Sequence, residues 1–94
     1  MIKSDSIIKK NHEILASDID GETVMMSIEN GKYYGMDEIG SRIWGLINGE
    51  NTPATIIDKL LKEFDVSREE CMTDVMDFLE ELKKNELIRY ANQD

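Results

Sequence analysis

Apolar residues recur at helical spacing in three stretches of the chain, and this pattern predicts three helices. The first is expected over about 37–48, with Gly49 in the left-handed conformation after its end. The second begins at Pro53 and has one apolar face and one charged face. The third continues to about Lys84 and is followed by Asn85, which suits a left-handed terminator.

Each predicted helix is preceded by a residue that suits an N-cap. Asp37 places a carboxylate before the first helix, where it can accept hydrogen bonds from the free N–H groups of the first turn. Thr52 caps the second helix, and Pro53 occupies the first helical position, where its missing N–H costs nothing. Ser67 and Glu70 form a capping box for the third helix.

Two turn signals divide the N-terminal half of the chain into strands. Asp20-Gly21 and Asn30-Gly31 both suit the positive φ of a two-residue type I′ hairpin loop. The runs beside them, 14–19, 22–29 and 32–36, are therefore predicted to form a three-stranded antiparallel meander. The third strand passes into the first helix with almost no loop.

A two-residue loop at Asn30-Gly31 also predicts the register of the second hairpin. The expected pairs are Ile28 with Tyr33, Ser27 with Tyr34, Met26 with Gly35, and Met25 with Met36. One face then holds Val24, Met26, Ile28 and Tyr33, and the other holds Met25, Ser27, Tyr34 and Met36. Because both faces carry apolar side chains, either one face is buried and the other exposed, or the sheet receives a partner. Tyr33 and Tyr34 point to opposite faces, so only one of them can enter the core.

The two ends of the chain are more weakly patterned. Residues 1–12 are mostly polar, with Ile7 and Ile8 as a short edge strand. Near the other end, the apolar positions Leu87, Ile88 and Tyr90 indicate a short terminal strand. We expect one domain over residues 1–94, with 1–12 and 89–94 loosely ordered.

The third predicted helix has a wider apolar arc than a surface helix needs. The arc spans roughly 160°, against ~100° for a helix with one buried side. Its members are Phe78, Cys71, Leu82, Val75, Leu79, Met72 and Met76. Beside its Phe78 margin lies an acidic edge formed by Asp74, Glu81, Glu70 and Asp77. This arrangement fits a deeply buried helix with a solvated flank, and it equally fits a helix that binds a basic peptide.

Charge narrows the classes of partner. Twenty acidic and eleven basic residues give a formal net charge of -9, which repels nucleic-acid phosphates and favours a basic peptide. Cys71, the single cysteine, cannot form an internal disulfide, and with the single histidine, His12, it falls short of a structural zinc ligand set. No apolar run approaches the ~20 residues of a membrane span. We therefore expect a cytoplasmic protein without a metal or cofactor.

The sequence offers little that could support catalysis. Cys71 lies near a helix start, where the helix dipole can lower the pKa of a thiol, but it also lies in the apolar arc. A buried and unreactive thiol is therefore the favoured interpretation, and a small thiol enzyme is the alternative. The glycines around the first helix match neither the dinucleotide fingerprint nor the phosphate-binding loop. The methionines suit core filling better than an adaptable binding surface.

Two stretches carry a family resemblance, GKYYGMDEIGSRIWGLINGENTP and CMTDVMDFLEELKKNELI. With the hairpin before them, they make residues 14–88 resemble the PqqD-like family of peptide chaperones, which are RiPP recognition elements. The chain looks like a stand-alone member of the lasso-peptide biosynthesis type. Family members usually have Leu-Asn where this chain has Met36-Asp37, and both pairs place an apolar residue before a cap.

The resemblance implies an α+β, winged helix-turn-helix-like domain, with an N-terminal three-stranded antiparallel sheet packed on three helices. It implies a non-catalytic protein that binds the leader region of a ribosomally synthesised precursor peptide by β-strand addition and delivers it to modifying enzymes. Those enzymes are a leader-cleaving cysteine protease and a macrolactam cyclase. The leader would lie between the third predicted strand and the third helix. The implied peptide-binding residues are Lys32, Tyr33, Tyr34, Gly35 and Met36 at the strand edge, Cys71, Val75 and Phe78 at the groove floor, and Asp74 and Asp77 opposite basic leader residues.

Two other expectations accompany this one. A winged-helix DNA-binding regulator shares the helical topology, although the net charge and the lack of a Lys/Arg-rich recognition helix weigh against it. An unpaired strand edge also favours a homodimer, formed through the sheet edge or by domain swapping.

Overall fold

The computed structural model of the chain describes residues 1–11 and 14–91. His12 and residues 92–94, the last part of the stretch expected to be loosely ordered, lie outside the described residues. The elements follow in the order β1 (Ile7–Lys10), β2 (Ile14–Ile19), β3 (Glu22–Ser27), β4 (Tyr33–Gly35), α1 (Glu38–Leu46), α2 (Pro53–Glu63), α3 (Arg68–Lys84) and β5 (Ile88–Ala91). The chain is thus α+β, with three helices and antiparallel sheets in the described residues, as predicted.

The strands form two antiparallel sheets. β2, β3 and β4 make the predicted three-stranded meander, with β3 in the centre. β1 and β5 pair in a separate two-stranded sheet, in which Ile8 faces Tyr90. The short strands predicted near each end of the chain are therefore confirmed, and their pairing joins the two ends.

Residues 1–11 pack against the rest of the chain, whereas their weak pattern led us to expect loose order. Ile2, Ser6 and Ile8 are buried. The side-chain amide of Asn11 donates to the main-chain carbonyl of Glu86 at 2.8 Å. These contacts join residues that are far apart in sequence, so they leave no local pattern.

The two-residue loop predicted at Asp20-Gly21 is confirmed. Both residues have positive φ, 52° for Asp20 and 86° for Gly21, as a type I′ turn requires. Ile19 and Glu22 face each other across the loop and close the hairpin.

The two-residue loop predicted at Asn30-Gly31 is wrong, because the chain forms a wider loop over 28–31. A hydrogen bond from the Ser27 N–H to the Lys32 carbonyl, 3.0 Å long, closes it. Gly31 has a positive φ of 71° but Asn30 does not, so no type I′ turn forms. The Asn30 N–H donates to Ser27 Oγ and the Gly31 N–H donates to the Ser27 carbonyl. Ser27 therefore stabilises a loop that the Asn-Gly signal does not reveal.

The wider loop shifts the register of β3 and β4 by two positions. The observed pairs are Val24 with Gly35, Met25 with Tyr34, and Met26 with Tyr33. A shift by two keeps every side chain on its predicted face, because side chains alternate with a period of two. Met25, Ser27 and Met36 are buried, so their side of the sheet is the inner one.

One apolar core joins the inner face of the sheet to the helices. α1 packs on β3 and α2, and α3 packs on α2 and β5. The buried hydrophobic side chains are Ile2, Ile8, Met25, Met36, Ile43, Trp44, Leu46, Ile47, Ile56, Ile57, Leu60, Cys71, Val75, Leu79, Leu82, Leu87 and Ile88. No helix within residues 1–11 and 14–91 combines the length and apolar character that a membrane crossing requires.

The three predicted helix starts are confirmed. Asp37 Oδ1 accepts the Gly40 N–H at 2.8 Å, which caps α1. Ser67 Oγ accepts the Glu70 N–H at 3.1 Å, which caps α3. The reciprocal bond from the Ser67 N–H to the Glu70 side chain does not form in the described residues, so the predicted capping box is wrong although the cap is confirmed. Thr52 caps α2 with the same kind of bond and takes part in a capping box.

α1 ends at Leu46, two residues earlier than predicted. The Ile47 N–H donates to the Trp44 carbonyl at 3.1 Å, and the Asn51 side-chain amide donates to the Leu46 carbonyl at 2.7 Å. These bonds satisfy main-chain groups at the helix end and stop the helix early. Gly49 has the predicted left-handed conformation, with a φ of 85°.

The left-handed residue that ends α3 was predicted to be Asn85, and this prediction is wrong by one residue. Asn85 has a φ of -90°, and Glu86 takes the left-handed conformation with a φ of 60°. The Leu87 N–H donates to the Leu82 carbonyl and the Glu86 N–H donates to the Lys83 carbonyl, which are the two bonds of a Schellman motif. Because Leu87 is buried, its packing sets the end of the helix.

Candidate functional site

The three-stranded sheet ends at β4, which has no strand on its far side in the described residues. The Lys32 carbonyl accepts from β3, and the Met36 N–H donates to the Thr23 carbonyl of β3 at 3.0 Å. Main-chain groups in an antiparallel ladder alternate in direction. Tyr33 and Gly35 therefore point their N–H and C=O groups away from β3.

These outward groups have no hydrogen-bond partner within residues 1–11 and 14–91. Unpaired main-chain donors and acceptors on an edge strand form a template for a further strand. The edge predicted over Lys32 to Met36 thus contains two residues, Tyr33 and Gly35, with main-chain groups directed outward.

The two adjacent tyrosines lie on opposite faces of the sheet, as predicted. Tyr33 is 74% exposed and stands on the outer face beside Met26. Tyr34 is half-buried on the inner face, beside Met25, and packs against the core. The Tyr34 hydroxyl is buried and lacks a hydrogen-bond partner in the described part of the chain. Such groups are rare in native proteins and call for an explanation.

The three residues predicted for the groove floor differ in exposure. Cys71 and Val75 are buried, with 5% and 1% of their surface exposed, so they have little surface to offer a ligand. Phe78 is half-buried at the margin of the core. Its ring packs closely on α1, because a Cβ added at Gly40 would lie 3.3 Å from two ring carbons. Phe78 is therefore the best placed of the three to contact a ligand.

Burial raises the pKa of the Cys71 thiol, and the Asp74 carboxylate raises it further, while Arg68 opposes them. The thiol is therefore protonated at neutral pH. A protonated and buried thiol is a poor nucleophile, so the geometry does not favour chemistry at Cys71.

The acidic strip of α3 consists of Glu70, Asp74, Asp77 and Glu81, and all four side chains are exposed. None of them belongs to an ion pair within the described residues. Asp74 and Asp77 precede Phe78 on this helix, by four residues and by one residue respectively. Their charges are available to a basic ligand.

The outer sheet face is apolar and exposed, and the sequence pattern revealed it only in part. It consists of Leu15, Ile19, Val24, Met26 and Tyr33, with Ile28 at its loop end. Leu15, Met26 and Tyr33 form one cross-strand row. We missed Leu15 and Ile19. Together with Ser17 they occupy alternate positions of β2, and alternate residues of a strand share one face.

The chain belongs to the PqqD family. The family model described as coenzyme PQQ synthesis protein D (PqqD) matches residues 22–88. The resemblance found in the sequence is thus confirmed.

Two solved structures have the same fold. TbiB1, in complex with the TbiA(beta) leader peptide, is 34% identical to the chain, with a TM-score of 0.82, and the match covers 92% of this chain and 99% of that one. A lasso peptide synthetase B1 complexed with the leader peptide is 21% identical, with a TM-score of 0.79, and the match covers 87% of this chain and 96% of that one. This second match supports the fold alone. A comparison with curated protein sequences found no match.

Proposed function

We propose that the chain is a RiPP recognition element that binds the leader region of a precursor peptide in lasso-peptide biosynthesis. The observation that carries the proposal is the open β4 edge in a chain that is 34% identical to TbiB1, a protein solved with a leader peptide. Proteins of this PqqD-like kind are non-catalytic binding partners of leader peptides, so the chain is not an enzyme.

The leader binds as an additional strand on β4. Its main chain pairs with the outward N–H and C=O groups of Tyr33 and Gly35, which supplies affinity that depends little on sequence. Leader side chains then alternate between the two faces of the extended sheet. Those on the inner face lie beside Tyr34 and supply specificity.

Electrostatics favour a leader with basic residues. Asp74 and Asp77 carry exposed charges without ion-pair partners in the described residues. The net charge of -9 attracts a basic peptide at long range and speeds its association.

The bound leader is delivered to a protease and a cyclase that act on the precursor. The outer sheet face supports this role, because contiguous exposed apolar surface marks protein–protein contacts. It adjoins the β4 edge through Tyr33, so an enzyme seated there would lie beside the leader. Because the precursor peptide is made on ribosomes, we propose that the chain acts on it in the cytoplasm.

We further propose that the domain is winged helix-turn-helix-like, and the support for this is that β5 follows α3 and pairs with β1. We do not propose DNA binding for this domain, because α3 exposes four carboxylates, those of Glu70, Asp74, Asp77 and Glu81. Carboxylates on that helix would repel phosphates.

Isothermal titration with the leader encoded beside this gene tests the proposal. We expect one leader to bind per chain with a dissociation constant in the micromolar range or below, corresponding to about -8 kcal/mol or stronger. The core region of the same precursor, without its leader, serves as the control and is expected not to bind. Absence of binding to every neighbouring leader would refute the proposal.

A further inference from the structure

β2 is the second open edge of the three-stranded sheet. Ile19 and Glu22 close a two-residue hairpin loop, and such a closing pair exchanges both of its hydrogen bonds. By alternation, Ile14, Ala16 and Asp18 direct their N–H and C=O groups away from β3. These groups have no main-chain partner within residues 1–11 and 14–91, and they form a longer edge than that of β4.

A groove runs beside this edge, between β2 and α1. Its first part is a cavity of about 270 Å³ whose wall includes Ala16, Asp18 and Trp44. Lys10 also lines a second cavity of about 590 Å³, which extends to Lys9 and the turn at Gly49. The two cavities share Lys10 and Gly45 and together form what we call the β2 groove.

Lys9 and Lys10 hold their side chains against the walls of the β2 groove. The Lys10 ammonium lies 4.9 Å from the centroid of the Trp44 ring, within the range of a cation–π interaction. The Lys9 side chain packs over Gly49, with two of its carbons 3.9 and 4.0 Å from the position that a Cβ would occupy there. Fixed stems reduce the entropy that these cations lose when they bind a ligand.

Neither lysine has an ion-pair partner in the described part of the chain, although the chain has twenty acidic residues. Arg89 lies directly across from Lys9 in the pair of β1 and β5, and like charges in that arrangement repel each other. Burial lowers the pKa of Lys10, since desolvation is not offset by a carboxylate. The cations at this end of the groove therefore lack a compensating anion.

We propose that the β2 groove binds an extended acidic segment of a partner protein. The segment pairs its main chain with Ala16 and Asp18 and places carboxylates near Lys9 and Lys10. Local charge selects this occupant, because Lys9 and Lys10 have no ion-pair partner in the described residues. The net charge of -9 repels a nucleic acid or another long polyanion, so the acidic segment must be short. The two open edges thus differ in charge. Exposed carboxylates of α3 are proposed beside β4, whereas the β2 groove holds Lys9, Lys10 and one carboxylate, Asp18, which already accepts a hydrogen bond from Thr23 Oγ1 at 3.0 Å. Two different peptides can therefore bind at once.

An NMR titration tests this inference with a defined probe. The probe is a blocked ten-residue peptide of alternating threonine and glutamate, and its counterpart has lysine in place of glutamate. We expect the acidic peptide to shift the amide signals of Lys10, Ala16 and Asp18 in a saturable way, and the basic counterpart to leave them in place. The amides of Ala16 and Asp18 should also exchange more slowly with solvent when the acidic peptide is bound.

Charge reversal at the groove supplies the matched comparison. Lys9→Glu/Lys10→Glu should weaken binding of the acidic peptide by roughly tenfold or more. Lys59→Glu/Lys62→Glu makes the same change of charge on the exposed face of α2 and should weaken it less than about twofold. Lys10→Gln, which keeps most of the stem over Trp44, provides a milder variant if the double reversal unfolds the chain.

Three results would overturn the inference. They are no saturable shift with the acidic peptide, equal loss of affinity in both double variants, or shifts confined to β4. Shifts at Ala16 and Asp18 that depend on protein concentration alone would instead identify a second copy of the chain as the occupant. Titration of the leader into the same sample tests the proposed function separately, since it reports on Tyr33 and Gly35.

Discussion

At the scale of single residues, the Tyr34 hydroxyl is the feature that most needs a partner. It is buried without a hydrogen bond in the described residues, and an unsatisfied buried group costs about 1–3 kcal/mol. Its ring stands on the inner face next to the open edge. Because the hydroxyl is buried, a leader residue paired with β4 can supply the missing bond only when binding moves the Tyr34 ring outward.

We therefore expect Tyr34→Phe to change stability and binding in opposite directions. The free energy of unfolding should stay the same or rise by about 1 kcal/mol, because the variant lacks the buried hydroxyl that has no hydrogen-bond partner. Leader affinity should fall roughly fivefold to tenfold, because a hydrogen bond to the leader is lost. Thermal unfolding and isothermal titration measure the two effects. Tyr33→Phe, at an exposed position, is the control and should change neither, and tighter leader binding by Tyr34→Phe would contradict this role.

Glu86 is the second residue with a direct prediction. A side chain in the left-handed conformation is strained by about 1–2 kcal/mol, and Glu86 has a φ of 60°. Glu86→Gly should raise the free energy of unfolding by about 0.5–1 kcal/mol, after allowance for the greater freedom of glycine in the unfolded chain. Chemical denaturation measures this change in the free energy of unfolding. Asn85→Gly, where φ is negative, should destabilise, and stabilisation of both variants would show that left-handed strain is not the cause.

At the scale of elements, the sequence predicted the faces of the strands better than their pairing. Tyr33 and Tyr34 were separated correctly, because alternation is a local property of a strand. The register was wrong by two positions, because Ser27 stabilises the loop with its side chain and main chain. Which face would be buried could not be predicted, since both carry apolar residues and the answer depends on where the helices pack.

Pairing of the leader with the β4 edge can be tested with two variants of Gly35 that differ by one main-chain hydrogen-bond donor. A Cβ at Gly35 meets nothing within 4 Å, so Gly35→Ala should fold and bind the leader nearly as well as the parent. Gly35→Pro removes the outward N–H and should weaken leader binding by roughly tenfold or more, since the pairing strand loses a main-chain bond. Isothermal titration of the leader into both folded variants measures this difference in affinity. Equal affinities would show that the leader does not pair with this N–H.

At the scale of the whole molecule, the family and the α+β class followed from the sequence, but the sheet of β1 and β5 did not. The sequence indicated two short strands near Ile8 and Tyr90, yet nothing local shows that residues so far apart pair. The candidate site was predicted in outline. The resemblance placed Cys71 and Val75 at the groove floor with Phe78. All three residues share one apolar arc of the third helix, and periodicity alone cannot divide such an arc into buried and accessible parts.

Charge distribution gives a prediction at this scale. Asp74→Asn/Asp77→Asn should weaken binding of a leader with basic residues by roughly threefold to tenfold at low salt. The difference should shrink in high salt, where exposed charges are screened. Glu50→Gln/Asp65→Asn makes the same change of net charge at exposed positions elsewhere and should have little effect. A loss that is equal in both variants would assign the effect to net charge instead of to the acidic strip.

The central claim is that the leader adds a strand to β4, and hydrogen exchange of individual amides tests it most directly. In the free chain the amides of Tyr33 and Gly35 point outward, without a partner in the described residues, so we expect both to exchange rapidly. With saturating leader, NMR should show both amides exchanging more slowly by about tenfold or more, while those of Ala16 and Asp18 on the opposite edge keep their rates. A leader that saturates the protein and leaves Tyr33 and Gly35 unprotected would contradict strand addition at β4.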